Sequence, residues 1–142
     1  MGRILVSQKN AIRCITGNKK WERVGDHYQP VSCRPIFKEH MILTAPACYI
    51  YEAIRFFEKN GGGITVGEAS AYNTRNAKDL RLPKVRLEKS KQDVLYAGAL
   101  FFNKLPGQIK DLRGNKEFGA RVKKWLVNEV IYSVAEYLQN PS

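Results

Sequence analysis

The residues best suited to metal binding or catalysis are few in this sequence and lie far apart. The set that most suggests zinc is His27, Cys33, His40 and Cys48, but no Cys-x-x-Cys pair occurs. Structural zinc sites usually take their ligands from closely spaced pairs, so this spacing argues against zinc. No serine, cysteine or histidine stands in a motif typical of nucleophilic catalysis, and the aspartates include no adjacent pair. The sequence therefore predicts no catalytic residue, no metal ligand and no cofactor.

The cysteine content and the apolar runs bear on where the protein works. Three cysteines cannot all pair within one chain, and no hydrophobic signal core opens the sequence. We therefore expect an intracellular protein with reduced thiols. Cys14 and Cys48 lie among apolar residues of predicted helices and are expected to be small core residues. No apolar run is long enough to span a membrane, so no membrane partner is predicted.

Positive charge is the most informative bulk property. The chain has 24 Lys and Arg against 13 Asp and Glu, a net charge of +11. Residues 73–91 contain seven Lys or Arg and two acidic residues. The net charge of this segment is therefore +5, nearly half of the charge surplus of the whole chain. Such a surplus attracts polyanions, of which nucleic acid is the commonest. An anionic membrane surface and a charged surface without a ligand are the alternatives.

The basic stretch supplies the first candidate contacts to nucleic acid. Its Lys and Arg side chains would neutralise phosphates and release counterions. The candidates are Arg75, Arg81, Lys84 and Arg86. Asn73 could hydrogen-bond a base or sugar, or could bond the local backbone in a turn. The alternative for the whole stretch is a solvated charged loop.

The elements that would position these residues are mostly helices. Periodicity predicts a single, mainly α-helical small domain over residues 1–142, with helices at about 3–16 and 45–59 and C-terminal helices at about 94–139. Residues 19–35 are expected to form a loop, and residues 61–92 one long irregular basic loop. The apolar spacing of residues 94–105 fits a helix, but Gly98 weakens a helix, so the secondary structure of this segment is ambiguous. The last helix is expected to run unbroken from an N-cap at Asn115 to about residue 139.

Apolar stripes predict how the first two helices pack. On the first helix, Leu5, Ile12 and Ile15 are expected to be buried, while Lys9 and Arg13 lie on the opposite, polar side. The second helix is expected to begin after the N-cap Thr44 and to pack mainly against the last helix. Its apolar stripe consists of Ile50, Ala53, Ile54 and Phe57.

Five segments keep an order that is typical of one protein family. They are QKNAIRCITG at 8–17, SCRPIFKE at 32–39 with ILT at 42–44 and YIYE at 49–52, YNTR at 72–75 with DLRLP at 79–83, YAGALFFNKLP at 96–106, and IYSVAEYL at 131–138. Together they resemble the C-terminal part of the jockey-like non-LTR retrotransposon reverse transcriptases, which are RNA-directed DNA polymerases. The resemblance covers nearly the whole chain.

The resemblance implies a module that lies beside the polymerase palm. The family's chemistry depends on paired aspartates of the palm, which hold two metal ions, and this chain has no such pair. We therefore expect a thumb-side, nucleic-acid-binding module without enzymatic activity of its own. Its expected partner is RNA or an RNA–DNA hybrid. Because a polymerase thumb helix follows the primer–template backbone, Lys9 and Arg13 become a second pair of candidate contacts by resemblance.

Two other functions remain open at this point. The chain could be a protein interaction module, which docks its basic loop on an acidic partner or self-associates through Phe101 and Phe102. It could also be an inactive remnant, since a start at Met1 fits a truncated copy of such an element or a host gene derived from one. The sequence leaves the oligomeric state open.

Overall fold

The computed structural model describes residues 2–60, 79, 80, 82 and 94–140, and these residues form a mainly helical domain, as predicted. The predicted basic loop at 61–92 lies almost entirely outside the described residues. The elements are α1 (Gly2–Thr16), β1 (Trp21–Val24), β2 (His27–Pro30), α2 (Arg34–Glu39), α3 (Ala45–Asn60), α4 (Val94–Asn103), α5 (Gly107–Lys110), α6 (Phe118–Glu129) and α7 (Val134–Gln139).

The first helix has the predicted length but a narrower buried face. Leu5 and Ile12 are buried, whereas Ile15 is 84% exposed, so the prediction for Ile15 is wrong. At 3.6 residues per turn, Ile15 lies about 80° around the helix from Leu5. The elements that cover Leu5 and Ile12 do not reach that far. Gly17, with φ +71°, follows the last turn.

A β-hairpin replaces part of the predicted loop at 19–35. β1 and β2 pair antiparallel, with Val24 opposite His27. The two residues between them are Gly25 and Asp26, and Gly25 has φ +61°. A positive φ at the first of two loop residues is the pattern of a type II′ turn, whose twist suits a hairpin. The sequence therefore carried a hairpin signal, a Gly-Asp pair between two short segments rich in strand-forming residues.

The helix pair α3 and α4 forms the centre of the larger core. The predicted stripe of α3 is buried, which confirms that expectation, and α4 settles residues 94–103 as helix. α3 packs most extensively against α4, not against the last helix as expected. Gly98 makes this contact possible, because a Cβ there would lie 2.5 Å from the Ala53 carbonyl oxygen and 2.5 Å from Phe57 Cβ.

This close approach predicts an unusual sign for one substitution. In an exposed helix, Gly→Ala is stabilising by about 0.5–1 kcal/mol. We expect Gly98→Ala instead to lower the free energy of unfolding by about 1–3 kcal/mol, because α3 and α4 must separate to admit the methyl group. A urea titration followed by circular dichroism measures it. A stabilised Gly98→Ala variant would contradict the close packing of the two helices.

The C-terminal region contains two helices where one was expected. α6 ends at Val130, which has a left-handed φ of +47°, and α7 begins after Ser133. The Ser133 Oγ accepts a hydrogen bond from the Glu136 backbone N–H (3.0 Å), which is one half of a Ser-x-x-Glu capping box, while the Glu136 carboxylate accepts from the Tyr132 N–H (3.0 Å). The N-cap position of α6 is Glu117, not Asn115. Asn115 instead accepts from the Glu117 N–H (3.2 Å) in the preceding turn.

Burial contradicts the surface role suggested for Phe101 and Phe102 and the core positions expected for Cys14 and Cys48. Phe101 and Phe102 are both 3% exposed, so they form core contacts and offer no surface for self-association. Cys33 is buried in a second, smaller core cluster with Leu5 and Ile12, whereas Cys14 and Cys48 are exposed. The smaller cluster joins α1, α2 and the chain between α6 and α7.

Candidate nucleic-acid interface

The side chains of Lys9 and Arg13, the two predicted contacts on α1, pack against the rest of the domain. Lys9 and Arg13 are half-buried, at the edge of the face that buries Leu5 and Ile12, so the prediction of an opposite face is wrong. Lys9 lies about 40° around the helix from Leu5 and Arg13 about 80°, so both stand beside the buried stripe, where a long side chain can reach partners on other elements.

Each of these two side chains has a partner within the domain. The Lys9 Nζ lies 3.9 Å from the centroid of the Tyr132 ring. Arg13 Nη2 donates a hydrogen bond to the Val31 carbonyl oxygen (2.9 Å). Both residues therefore have a structural role, and their contact with nucleic acid stays a prediction.

Tyr132 is the centre of a cationic cluster that joins three helices. The Arg34 guanidinium also lies over its ring, 4.1 Å from the centroid. Arg34 pairs with Glu136 (3.0 Å) and donates to the Val130 carbonyl oxygen. These contacts tie α1 and α2 to α7.

The electrostatics of this cluster indicate a structural role. Burial raises the pKa of Tyr132, and the nearby Cys33 adds to this effect, although Arg34 and Arg13 oppose it. Partial burial alone would raise the pKa of Glu136, but its bonds to Arg34 and the Tyr132 backbone N–H hold that pKa below the ordinary value. Glu136 is therefore a charged acceptor and Tyr132 a neutral phenol at neutral pH, and neither is poised to exchange a proton.

The hairpin β1–β2 presents two distinct faces, because residues paired across an antiparallel ladder point to the same side. All eight strand residues are exposed. One face, here called the aromatic face, carries Trp21, Arg23, Tyr28 and Pro30. The other carries Glu22, Val24, His27 and Gln29. The side chains of Glu22 and Gln29 hydrogen-bond across the ladder (2.8 Å), in agreement with this assignment.

The base of the hairpin is fixed to the end of α1. The Val31 backbone N–H donates to the Lys20 carbonyl oxygen (2.9 Å), and Arg13 holds the Val31 carbonyl oxygen from the other side. Arg13 and Lys20 also line one open pocket with Asn10 and Asn18. Arg13 thus positions the hairpin and the adjacent lysines.

Exposed cations lie at the hairpin and along α6. They are Lys19, Lys20, Arg23, Arg121 and Lys124. None of these five forms an ion pair with a carboxylate of the described residues. Lys123, by contrast, lies on the side of α6 toward α3, where its charge lowers the pKa of Cys48 against the larger raising effects of burial and Glu52.

The remaining predicted contacts to nucleic acid belong to the basic stretch. The candidates in the basic stretch, which are Asn73, Arg75, Arg81, Lys84 and Arg86, lie outside the described residues. Their contact with nucleic acid stays a prediction. In the part of the chain that the structure describes, no group of three or more His, Cys, Asp or Glu side chains could hold a metal ion. No described helix is both long and apolar enough to cross a membrane.

Comparison with family models, with curated proteins and with solved structures gives no match for this chain. The resemblance to retrotransposon reverse transcriptases therefore stands on the five sequence segments alone.

The most exposed candidate residues were missed by sequence reasoning. Trp21 and Tyr28, with Lys19, Lys20 and Arg23, lie in the segment that was expected to be a loop. The Gly25-Asp26 turn and the strand-forming residues around it would have indicated that the two aromatic residues share a face.

Proposed function

We propose that this domain binds nucleic acid, mainly through backbone phosphates. The observation that carries the proposal is the set of exposed Lys and Arg side chains at the hairpin and on α6 that form no ion pair within the described residues. Cations that are not neutralised by their own protein remain available to phosphates, whose counterions they release. The net charge of +11 adds long-range attraction.

We further propose that the domain is the thumb-side C-terminal module of a retrotransposon-type RNA-directed DNA polymerase. The order of the five family-like segments supports this proposal. The expected partner is RNA or an RNA–DNA hybrid, held beside a palm that supplies the catalytic aspartates. In this proposal the chain itself has no polymerase activity, and it works inside the cell.

A salt titration tests the binding proposal. We expect the full chain to bind a labelled RNA oligonucleotide at low salt and to lose affinity steeply between about 50 and 200 mM NaCl. Replacing both Lys19 and Lys20 by glutamine is expected to reduce the slope of log K against log salt by about 1.4, since each lost phosphate contact on a single strand removes about 0.7. Fluorescence anisotropy measures both quantities. An affinity that does not change with salt would refute phosphate binding.

A matched double variant separates a local contact from a change of net charge. Lys59 and Lys116 are exposed like Lys19 and Lys20, and Lys59 lies near the far end of α3, about 20 Å from its first turn beside α1. Lys59→Gln with Lys116→Gln removes the same charge. Its slope is expected to stay within about half a unit of that of the unchanged protein. Equal slopes for the two double variants would assign the effect to net charge and not to the hairpin.

Protein interaction is a second candidate function, favoured by the outer side of α1. Ile4 and Ile15 are 61% and 84% exposed, and with Ala11 they follow one another along the helix. A stripe of this kind suits contact with another apolar surface. It lies on α1, apart from the hairpin residues on which the phosphate proposal depends. Self-association of the chain in analytical ultracentrifugation that is lost on Ile4→Ser with Ile15→Ser, but not on Lys19→Gln with Lys20→Gln, would favour this candidate.

A further inference from the structure

We propose that the aromatic face of the hairpin stacks on unpaired bases of a single-stranded polynucleotide. This inference rests on the proposed function and deepens it, because it names the form of nucleic acid that the site takes. It assigns Trp21 and Tyr28 to the bases and Arg23 with Lys19 and Lys20 to the adjoining phosphates.

The two rings have the exposure that such a role requires. Trp21 is 50% exposed and Tyr28 is 69% exposed. Neither ring contacts another aromatic ring or receives a cation over its face among the described residues, whereas the rings of Phe101 and Trp125 both pack against that of Tyr137. Neither Trp21 nor Tyr28 belongs to a core cluster. Within the described part of the chain, at least half of each of these residues is therefore accessible to a ligand.

Large aromatic side chains on this exposed hairpin contribute little to folding stability, which favours a binding role for them. A two-stranded hairpin with both faces in water is marginally stable, and its rings gain little from burial. This hairpin is nevertheless fixed in place, because Lys20 and Val31 close its base and Arg13 binds the Val31 carbonyl oxygen. The rings are thus presented on a support anchored to α1.

The charge around the rings matches a polynucleotide. Arg23 lies directly across the ladder from Tyr28 on the same face. Its Nε donates to the Gly25 carbonyl oxygen (3.0 Å), which directs the guanidinium along the hairpin. Lys19 and Lys20 precede Trp21 in the chain. The acidic residues of the hairpin lie elsewhere, Glu22 on the opposite face and Asp26 in the turn. An aromatic surface edged by cations suits bases joined by phosphates.

Stacking on two separate rings requires accessible base faces, which favours a single strand over a duplex. Trp21 and Tyr28 are diagonal neighbours in the ladder, which places their Cα atoms about 7–8 Å apart. In a duplex, each base face is covered by the next base about 3.4 Å away, so no face is free to receive a ring. In an unpaired strand the bases can separate and stack on side chains.

The test compares strands with a duplex, using the full chain. Labelled oligo(U), oligo(dT) and a DNA duplex of equal length are titrated by fluorescence anisotropy at one salt concentration. Trp21→Ala and Tyr28→Ala are each expected to weaken binding of the strands roughly tenfold and to leave duplex binding within about twofold. Trp21→Phe is expected to restore most of the affinity, because a smaller ring still stacks.

Two controls address folding and position. Val24→Ala and His27→Ala change the opposite face of the same hairpin, and both are expected to leave strand binding unchanged. A thermal melt by circular dichroism checks that every variant keeps the unchanged transition. In a Trp125→Phe background Trp21 is the only tryptophan, so oligo(dT) is expected to quench the remaining fluorescence.

The outcomes separate this inference from the proposed function. Equal loss for oligo(U) and oligo(dT) supports recognition of bases common to RNA and DNA, and loss for one alone names that strand as the ligand. Unchanged strand binding by Trp21→Ala and Tyr28→Ala overturns the stacking inference while phosphate binding stands, and the aromatic face then belongs to another partner such as a protein. Failure of the unchanged protein to bind strands or duplex overturns the proposed function itself.

Discussion

Replacing Ile54 by alanine is expected to lower the free energy of unfolding by about 2–5 kcal/mol. Ile54 is fully buried on α3, in the cluster that contains Phe102, Phe118 and Leu126 from the other helices. Truncation removes apolar contact area and leaves a cavity, because close-packed neighbours relax only in part. Urea denaturation followed by circular dichroism or tryptophan fluorescence measures the loss.

Ile15 supplies the matched control for Ile54. It is the same residue type, also lies in a long helix, and is 84% exposed. Ile15→Ala is therefore expected to change the free energy of unfolding by less than about 0.5 kcal/mol. Similar losses for the two variants would show that Ile54 does not lie in the core. Leu126→Ala, which alters a fully buried residue of α6, is expected to resemble Ile54→Ala.

The contrast between these two isoleucines shows what periodicity can and cannot predict. The stripe of α3 was predictable because it is broad and has neighbours on several sides, so every member of it is covered. On α1 the same spacing was ambiguous. Ile12 is buried and Ile15 is exposed because coverage depends on where α2 and the chain after α6 lie, which local spacing does not specify.

The candidate site was less predictable than the fold, for a related reason. Sequence reasoning placed Lys9 and Arg13 on the polar face of α1, yet a long cationic side chain beside an apolar stripe can reach an aromatic ring or a carbonyl of another element. Tyr132 and Val31, the partners that draw them inward, are far away in the sequence. The aromatic face was predictable in principle, because its turn and its alternation are local signals.

The break between α6 and α7 depends on contacts that are only partly local. The capping pair Ser133 and Glu136 was readable in the sequence. The left-handed Val130 was not, because a β-branched residue is among the least suited to a positive φ. Arg34 stabilises this conformation from α2 by donating to the Val130 carbonyl oxygen. A distant partner thus helps to end a helix that its own residues would continue.

Thr44 connects the same break to the start of α3, and its loss is expected to be costly. The side chain is 1% exposed. Its Oγ1 accepts from the Ala47 backbone N–H (3.3 Å), as the predicted N-cap should, and also donates to the Ile131 carbonyl oxygen. Thr44→Val keeps the shape and removes both bonds. We expect the free energy of unfolding to fall by roughly 2–4 kcal/mol, about 1 from the lost cap and the rest from a buried carbonyl left unpaired.

Thr44→Ser distinguishes the hydroxyl from the methyl group at this position. Serine keeps both hydrogen bonds and loses one methyl group, so its expected cost is only about 1 kcal/mol. Gln8 independently satisfies the Ala45 backbone N–H (2.8 Å) in all of these variants, so the first turn of α3 is not otherwise disturbed. A Thr44→Val variant as stable in a urea titration as the unchanged protein would contradict this role. The link between α3 and the chain after α6 would then owe nothing to the Thr44 hydroxyl.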